Sequence, residues 1–140
     1  MAEQNKSGKK KLHLLLVEDS IADIELAKRM LTKSKFDYDI SIAKDGEEAL
    51  TQLSRDNKLP DLVLLDLNLP KKTGRQVIEE INGMPWLSKT PLVLFTTSNE
   101  VADIIEDSSH QHILHITKPR SIVEFKGIAE RIDEFVYSAN

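Results

Sequence analysis

The chain has no cysteine. Disulfides, thiol catalysis and Cys-ligated zinc are therefore excluded. It has no apolar run near the roughly 18 residues of a membrane span. The polar start "MAEQNKSGKKK" is not followed by a signal-peptide core. The expectation is a cytoplasmic protein with no membrane contact. Positive charge is not in surplus either: 19 Lys and Arg face 23 Asp and Glu, a net charge of −4. Nucleic-acid binders usually carry a basic face, so no direct nucleic-acid partner is expected. Lys9-Lys10-Lys11 reads as part of a solubilising tail. Glycine is missing from "VEDSIAD", where a flavin or nucleotide module needs it to bring backbone close to phosphate. There is no internal repeat, and no low-complexity stretch beyond residues 1–10.

What is there fits one domain of 140 residues, enough to bury a core without staples. "LHLLLV" (12–17), "DLVLLDL" (61–67) and "PLVLFTT" (91–97) are near-continuous apolar runs, the pattern of parallel strands covered on both faces. "DYDISIA" (37–43) alternates and reads as a half-buried strand, and "HILHIT" (112–117) is a weaker fifth. Helical spacing lies between them. Ser20 with Asp23 resembles a capping box ahead of Ile24, Ala27 and Leu31. Asp45 opens a second helix with Ala49, Leu50 and Leu53; Gly74 to Ile81 forms a third with Val77, Ile78 and Ile81. Val101, Ile104 and Ile105 mark a fourth. Ile122, Phe125, Ile128, Ala129, Ile132, Phe135 and Val136 mark the fifth. A βα unit repeated five times implies an α/β fold with a parallel sheet and helices on both faces, joined by right-handed crossovers. Such sheets bind ligands beyond the carboxyl ends of their strands.

The strand ends carry chemistry. The first ends in Glu18-Asp19, the third in Asp66, the fourth in Thr96-Thr97 and the fifth in Thr117-Lys118-Pro119. Taken singly, each has a plain structural explanation as a cap, turn or exposed residue. Taken together they form a set. Clustered carboxylates repel, and carboxylates, a backbone carbonyl and water are the oxygen ligands Mg²⁺ prefers. Lys118 and Thr96 would add positive charge and a hydroxyl. Such a site could accept a phosphoryl group on a carboxylate nucleophile.

The motifs "LLVEDS", "LLDLNLP", "LFTTS" and "TKP", in that order, resemble the response-regulator receiver domain of two-component signalling, over about Leu12 to Tyr137. The resemblance implies a flavodoxin-like (βα)5 doubly wound sheet of strand order 2-1-3-4-5. It implies a tail over 1–10 and a single receiver domain over 11–140, with no output domain expected. It implies Asp66 as phosphoacceptor, and Mg²⁺ held by Glu18, Asp19, Asp66 and the backbone carbonyl of Asn68. Asp19 would be the direct ligand, with Glu18 acting largely through water. Thr96 would be the switch hydroxyl and Lys118 the phosphoryl-pairing lysine, with a cis bond before Pro119. A partner histidine kinase would donate the phosphoryl group. The surface of the fourth helix, fifth strand and fifth helix would then change contacts or form a homodimer. Details of "VEDS..D", "LLDLNLP" and "TTS" look most like stand-alone receivers paired with bacterial phytochromes. The chain departs from the family in a slightly longer "SRDNKLP" loop before the third strand and at three residue positions. His115 stands at the switch position usually held by Tyr or Phe, Thr73-Gly74 replaces Asp-Gly, and Thr97-Ser98 stands where a small Ala is frequent.

An aspartate-nucleophile phosphohydrolase is disfavoured, because it needs a second acid where Asn68 stands. A decayed scaffold is disfavoured by the intact set. Asn68 and Ser98, flanking the site, are expected to tune phosphoryl lifetime. His110, His112 and His115 are read as structural or surface residues, and Trp86 as a packing residue.

Overall fold

Strand register decides what this fold places where. The computed structural model describes residues 8–56, 58–97, 101, 104–105, 109–110 and 112–139. In chain order the elements are β1 (Lys11–Val17), α1 (Ile21–Leu31), β2 (Asp37–Ala43), α2 (Gly46–Gln52), β3 (Leu62–Leu65) and α3 (Gly74–Asn82), then β4 (Leu92–Thr96), β5 (Ile113–Thr117) and α4 (Phe125–Ala139). Short 3₁₀ turns lie at Pro85–Leu87 and Ile122–Glu124. The five strands form one sheet in the order β2-β1-β3-β4-β5, all parallel. That is the order the resemblance implied. Val101, Ile104 and Ile105 are helical, but the rest of the expected fourth helix, like residues 1–7 and Ser98, lies outside the described residues.

Alternation along each strand splits the apolar runs between two cores. Leu15, Val17, Leu65 and Leu94 face α2 and α3, packing with Ala49, Val77, Ile78 and Ile81. Leu14, Leu16, Leu64, Val93, Phe95 and Ile116 face α1 and α4, packing with Ile24, Ala27, Met30, Phe125, Ile128 and Ile132. The central strands read as unbroken apolar runs because both faces are covered.

The starts of α1 and α2 follow the expected caps, and α3 adds one of its own. Ser20 Oγ accepts from the Asp23 backbone N–H at 3.2 Å, and Asp45 Oδ1 from that of Glu48 at 2.8 Å. Thr73 and Gln76 form a reciprocal capping box on α3. Three expectations are corrected. The strand read over 61–67 spans only Leu62–Leu65. Asp61 instead clasps β1, its carboxylate accepting from the His13 N–H at 2.8 Å, and Asp66 and Leu67 lie just beyond the strand's end. Ile122 is no part of the last helix's buried stripe: it lies in a 3₁₀ turn closed by Ser121 and Glu124, and is 64% exposed. The bond before Pro119 is trans, as is every peptide among the described residues; the ordinary trans preference of X–Pro, about 0.5–1 kcal/mol, prevails. Trp86 packs as expected in the turn before β4, its Nε1–H donating to Leu53 O at 2.9 Å. His110 Nε2 meets Thr90 O at 2.7 Å, a structural tie.

Candidate functional site

Register sets the strand tips level. Val17 pairs with Leu65, and Thr96 with Thr117. The next residue along β1 is therefore Glu18 and along β3 Asp66, side by side, while Lys118 follows β5. Asp66 N–H donates to Val17 O at 3.0 Å and Glu18 N–H to Ala43 O at 2.9 Å, so both acids ride on the extended ladder. Ligand oxygens of Glu18, Asp19 and Asp66 lie within 4.8 Å of one another. Glu18 and Asp66 are buried, whereas Asp19 is exposed.

Lys118 reaches into this cluster. Its Nζ stands 3.1 Å from Asp66 Oδ2, 2.9 Å from Glu18 Oε2 and 2.8 Å from Asp23 Oδ2. An ammonium has three N–H groups, and all three are committed. Burial alone would draw this ammonium down, but the bonds to Asp23, Glu18 and Asp66 outweigh it and hold the group above its ordinary range. Burial pushes the Glu18 carboxyl from 4.5 up to about 7; the Asp66 charge adds to this, and the bonds from Lys118 and Ser20 oppose it. The second oxygens are also held: Ser20 N–H donates to Glu18 Oε1 and Asn68 N–H to Asp66 Oδ1, both at 3.2 Å. Asn68 thus meets Asp66 through its amide N–H.

Thr96 is fully buried at the end of β4. His115 sits across the β4–β5 ladder from Leu94. Its Nε2 is buried and has no hydrogen-bond partner among the described residues. Asp23, Thr97, His115, Thr117 and Lys118 line a cleft of about 330 Å³ beside the acids. Gly74 lies under the Asp66 loop: a Cβ there would stand 2.6 Å from Leu67 Cα and 2.8 Å from Asp66 O. The glycine that follows Thr73 is therefore what lets α3 close against that loop.

Three acids and a lysine at level strand tips narrow the relatives to be expected. Residues 14–130 match the response regulator receiver domain family. The chain belongs to that family. Response regulator Rcp1 of Synechocystis is 37% identical to this receiver over 127 residues, covering 87% of the chain and 86% of Rcp1. The methanogenesis regulatory protein FilR2 of Methanothrix harundinacea is 34% identical, covering 87% and 81%. Among solved structures, the phosphorylated cyanobacterial phytochrome response regulator RcpA superposes on the receiver with a TM-score of 0.75 at 36% identity, covering 93% and 96%. The Mn²⁺-bound form of Rcp1 gives 0.73 at 36% identity, covering 89% and 93%.

The structure brings Glu18, Asp19, Asp66 and Lys118 together as the sequence suggested. It adds Asp23, which the sequence marks only as part of the α1 cap. The signal was present in "VEDSIAD": an acid one turn into α1 falls on the face that overhangs the strand tips.

Proposed function

We propose that Asp66 accepts a phosphoryl group from a phosphohistidine on a partner histidine kinase. One Asp66 oxygen forms a bond to phosphorus as the phosphorus–nitrogen bond breaks. The electron pair leaves with the imidazole, which takes its proton from solvent. The observation that carries this reading is Lys118 Nζ at 3.1 Å from Asp66 Oδ2, beside three carboxylates within 4.8 Å. Lys118 would pair with phosphoryl oxygens, and Thr96 would turn its hydroxyl toward them. The donor set is all oxygen and anionic, which fits Mg²⁺. Glu18, Asp19, Asp66 and the Asn68 carbonyl would hold it, and when bound it would offset charge on the transferring group.

His115 would change position with the phosphoryl group, and the adjoining cleft leaves room for it. The surface formed by Val101, Ile104, Ile105, β5 and α4 would then favour a new contact or a homodimer. β5 is an edge strand, and Tyr137 on α4 is 74% exposed, which supports that reading. The likeness to RcpA supports a phytochrome-type kinase as donor, and with it a cytoplasmic setting. Asn68, two residues after Asp66, cannot act as general acid–base, which supports a signalling domain rather than a turnover hydrolase.

The test is intact-mass analysis after incubation with Mg²⁺ and a small acyl phosphate. Wild type gains one phosphoryl group and Asp66→Ala gains none. Wild type remaining unmodified, or releasing many phosphates per chain, overturns the proposal.

A further inference from the structure

Asp23 engages Lys118 for a local reason. Ser20 caps α1, with Oγ accepting from the Asp23 backbone N–H. A closed capping box would have the acid at this position accept the Ser20 N–H in return. Here that N–H donates to Glu18 Oε1 instead. Asp is also shorter than the Glu or Gln usual in the box. The Asp23 carboxylate is therefore released from the cap and turns to Lys118 at 2.8 Å, the shortest of that lysine's three bonds.

The three partners of Lys118 are not equivalent. Glu18 and Asp66 both belong to the acid cluster with Asp19. Asp23 does not. Any cation that engages the cluster, and any phosphoryl group on Asp66, competes with Lys118 for Glu18 and Asp66. Neither claims Asp23. A lysine side chain loses rotamer freedom when it is fixed, so one partner that stays constant keeps the ammonium in place while the others exchange.

We infer that Asp23 is a positioning residue for phosphoryl transfer, holding Lys118 at the reacting centre while Glu18 and Asp66 change partners. The inference rests on Asp66 being the phosphoacceptor. It goes beyond that reading by assigning a role to a carboxylate outside the metal and nucleophile set.

The test compares phosphorylation rates with a small acyl phosphate and Mg²⁺. Asp23→Ala and the near-isosteric Asp23→Asn are expected to slow the reaction about tenfold, the scale of one charge-assisted hydrogen bond. Asp23→Glu, which keeps the charge, recovers most of the rate. Mg²⁺ affinity, measured by calorimetry, stays within about threefold, since Asp23 lies outside the cluster that binds it. In a Lys118→Ala background, removing Asp23 slows the reaction no further, because its effect runs through Lys118. Two results overturn the inference: Asp23→Asn reacting within twofold of wild type, or the Asp23 effect persisting in full without Lys118. A wild type that takes no phosphate at all fails the phosphoacceptor reading instead, and is told apart by the Asp66→Ala control.

Discussion

At the residue scale the site is governed by carboxylates crowded around one ammonium. Among them Glu18 is pulled in two directions. Burial pushes its carboxyl up to about 7, above its value in an unfolded chain. Its contribution to metal-free stability is therefore fully present below about 4.5 and is lost as pH rises through about 7. If Glu18 holds a cation as proposed, cation binding has the opposite sign, because a ligand carboxylate must be deprotonated. Mg²⁺ affinity is expected to tighten from about pH 6 to about pH 8, approaching tenfold per unit at the acid end, as one proton is displaced. Glu18→Gln should flatten that slope in a calorimetric titration; an unchanged slope would place the titrating group elsewhere. Glu18, Asp66 and Lys118 were legible as a set because each ends an apolar run. Asp23 was not, because an acid three residues after a capping serine is already explained by the helix.

At the element scale, caps and close approaches set where helices begin. Gly74 opens α3 directly beneath the Asp66 loop. Gly74→Ala would drive a methyl into Leu67 backbone and the Asp66 carbonyl, so it is expected to destabilise by about 1–3 kcal/mol, the range for overpacking. The same variant should also slow phosphorylation, since the loop must move to make room. Urea unfolding alongside the intact-mass assay checks both, and a variant as stable as wild type would mean that α3 shifts freely. Element order was readable from periodicity, but some boundaries were not. Ile122 keeps the 3–4 spacing of the final helix, so it looked like core, and only the Ser121–Glu124 box reveals a separate turn. The strand over 61–67 looked longer than β3 because Leu67 is buried outside the sheet.

At the scale of the whole molecule, two cores share one sheet, and distant segments are tied across them. Asp133 of α4 is buried. It accepts from Ser34 Oγ at 2.5 Å and from the Lys35 N–H at 2.9 Å, anchoring the α1–β2 turn. Lys9 adds a bond from its ammonium to Ser34 O at 2.8 Å. Asp133→Ala would leave the buried Ser34 hydroxyl and the part-buried Lys35 N–H without their acceptor and is expected to cost about 1–3 kcal/mol, read from the shift in urea midpoint at unchanged slope. A loss below half a kcal/mol would mean that water replaces the carboxylate. Nothing in sequence pointed to this tie: Asp133 sits beside Ile132 in a helix of mixed faces, and its partners lie near the other end of the chain.

The commitment of all three Lys118 donors has a consequence for selectivity. An ammonium already satisfied by carboxylates offers nothing to a passing anion, so the cation-free site should ignore inorganic phosphate. Were Glu18 to turn to a cation, one N–H would be released, and affinity for phosphate would appear. Cation and anion binding are then thermodynamically linked, each strengthening the other by the same factor. Calorimetry with inorganic phosphate should give no heat without Mg²⁺ and a measurable one with it, and equal binding in both conditions would break the linkage. The lysine that serves the phosphoryl group would then also keep the cation-free receiver from taking up inorganic phosphate.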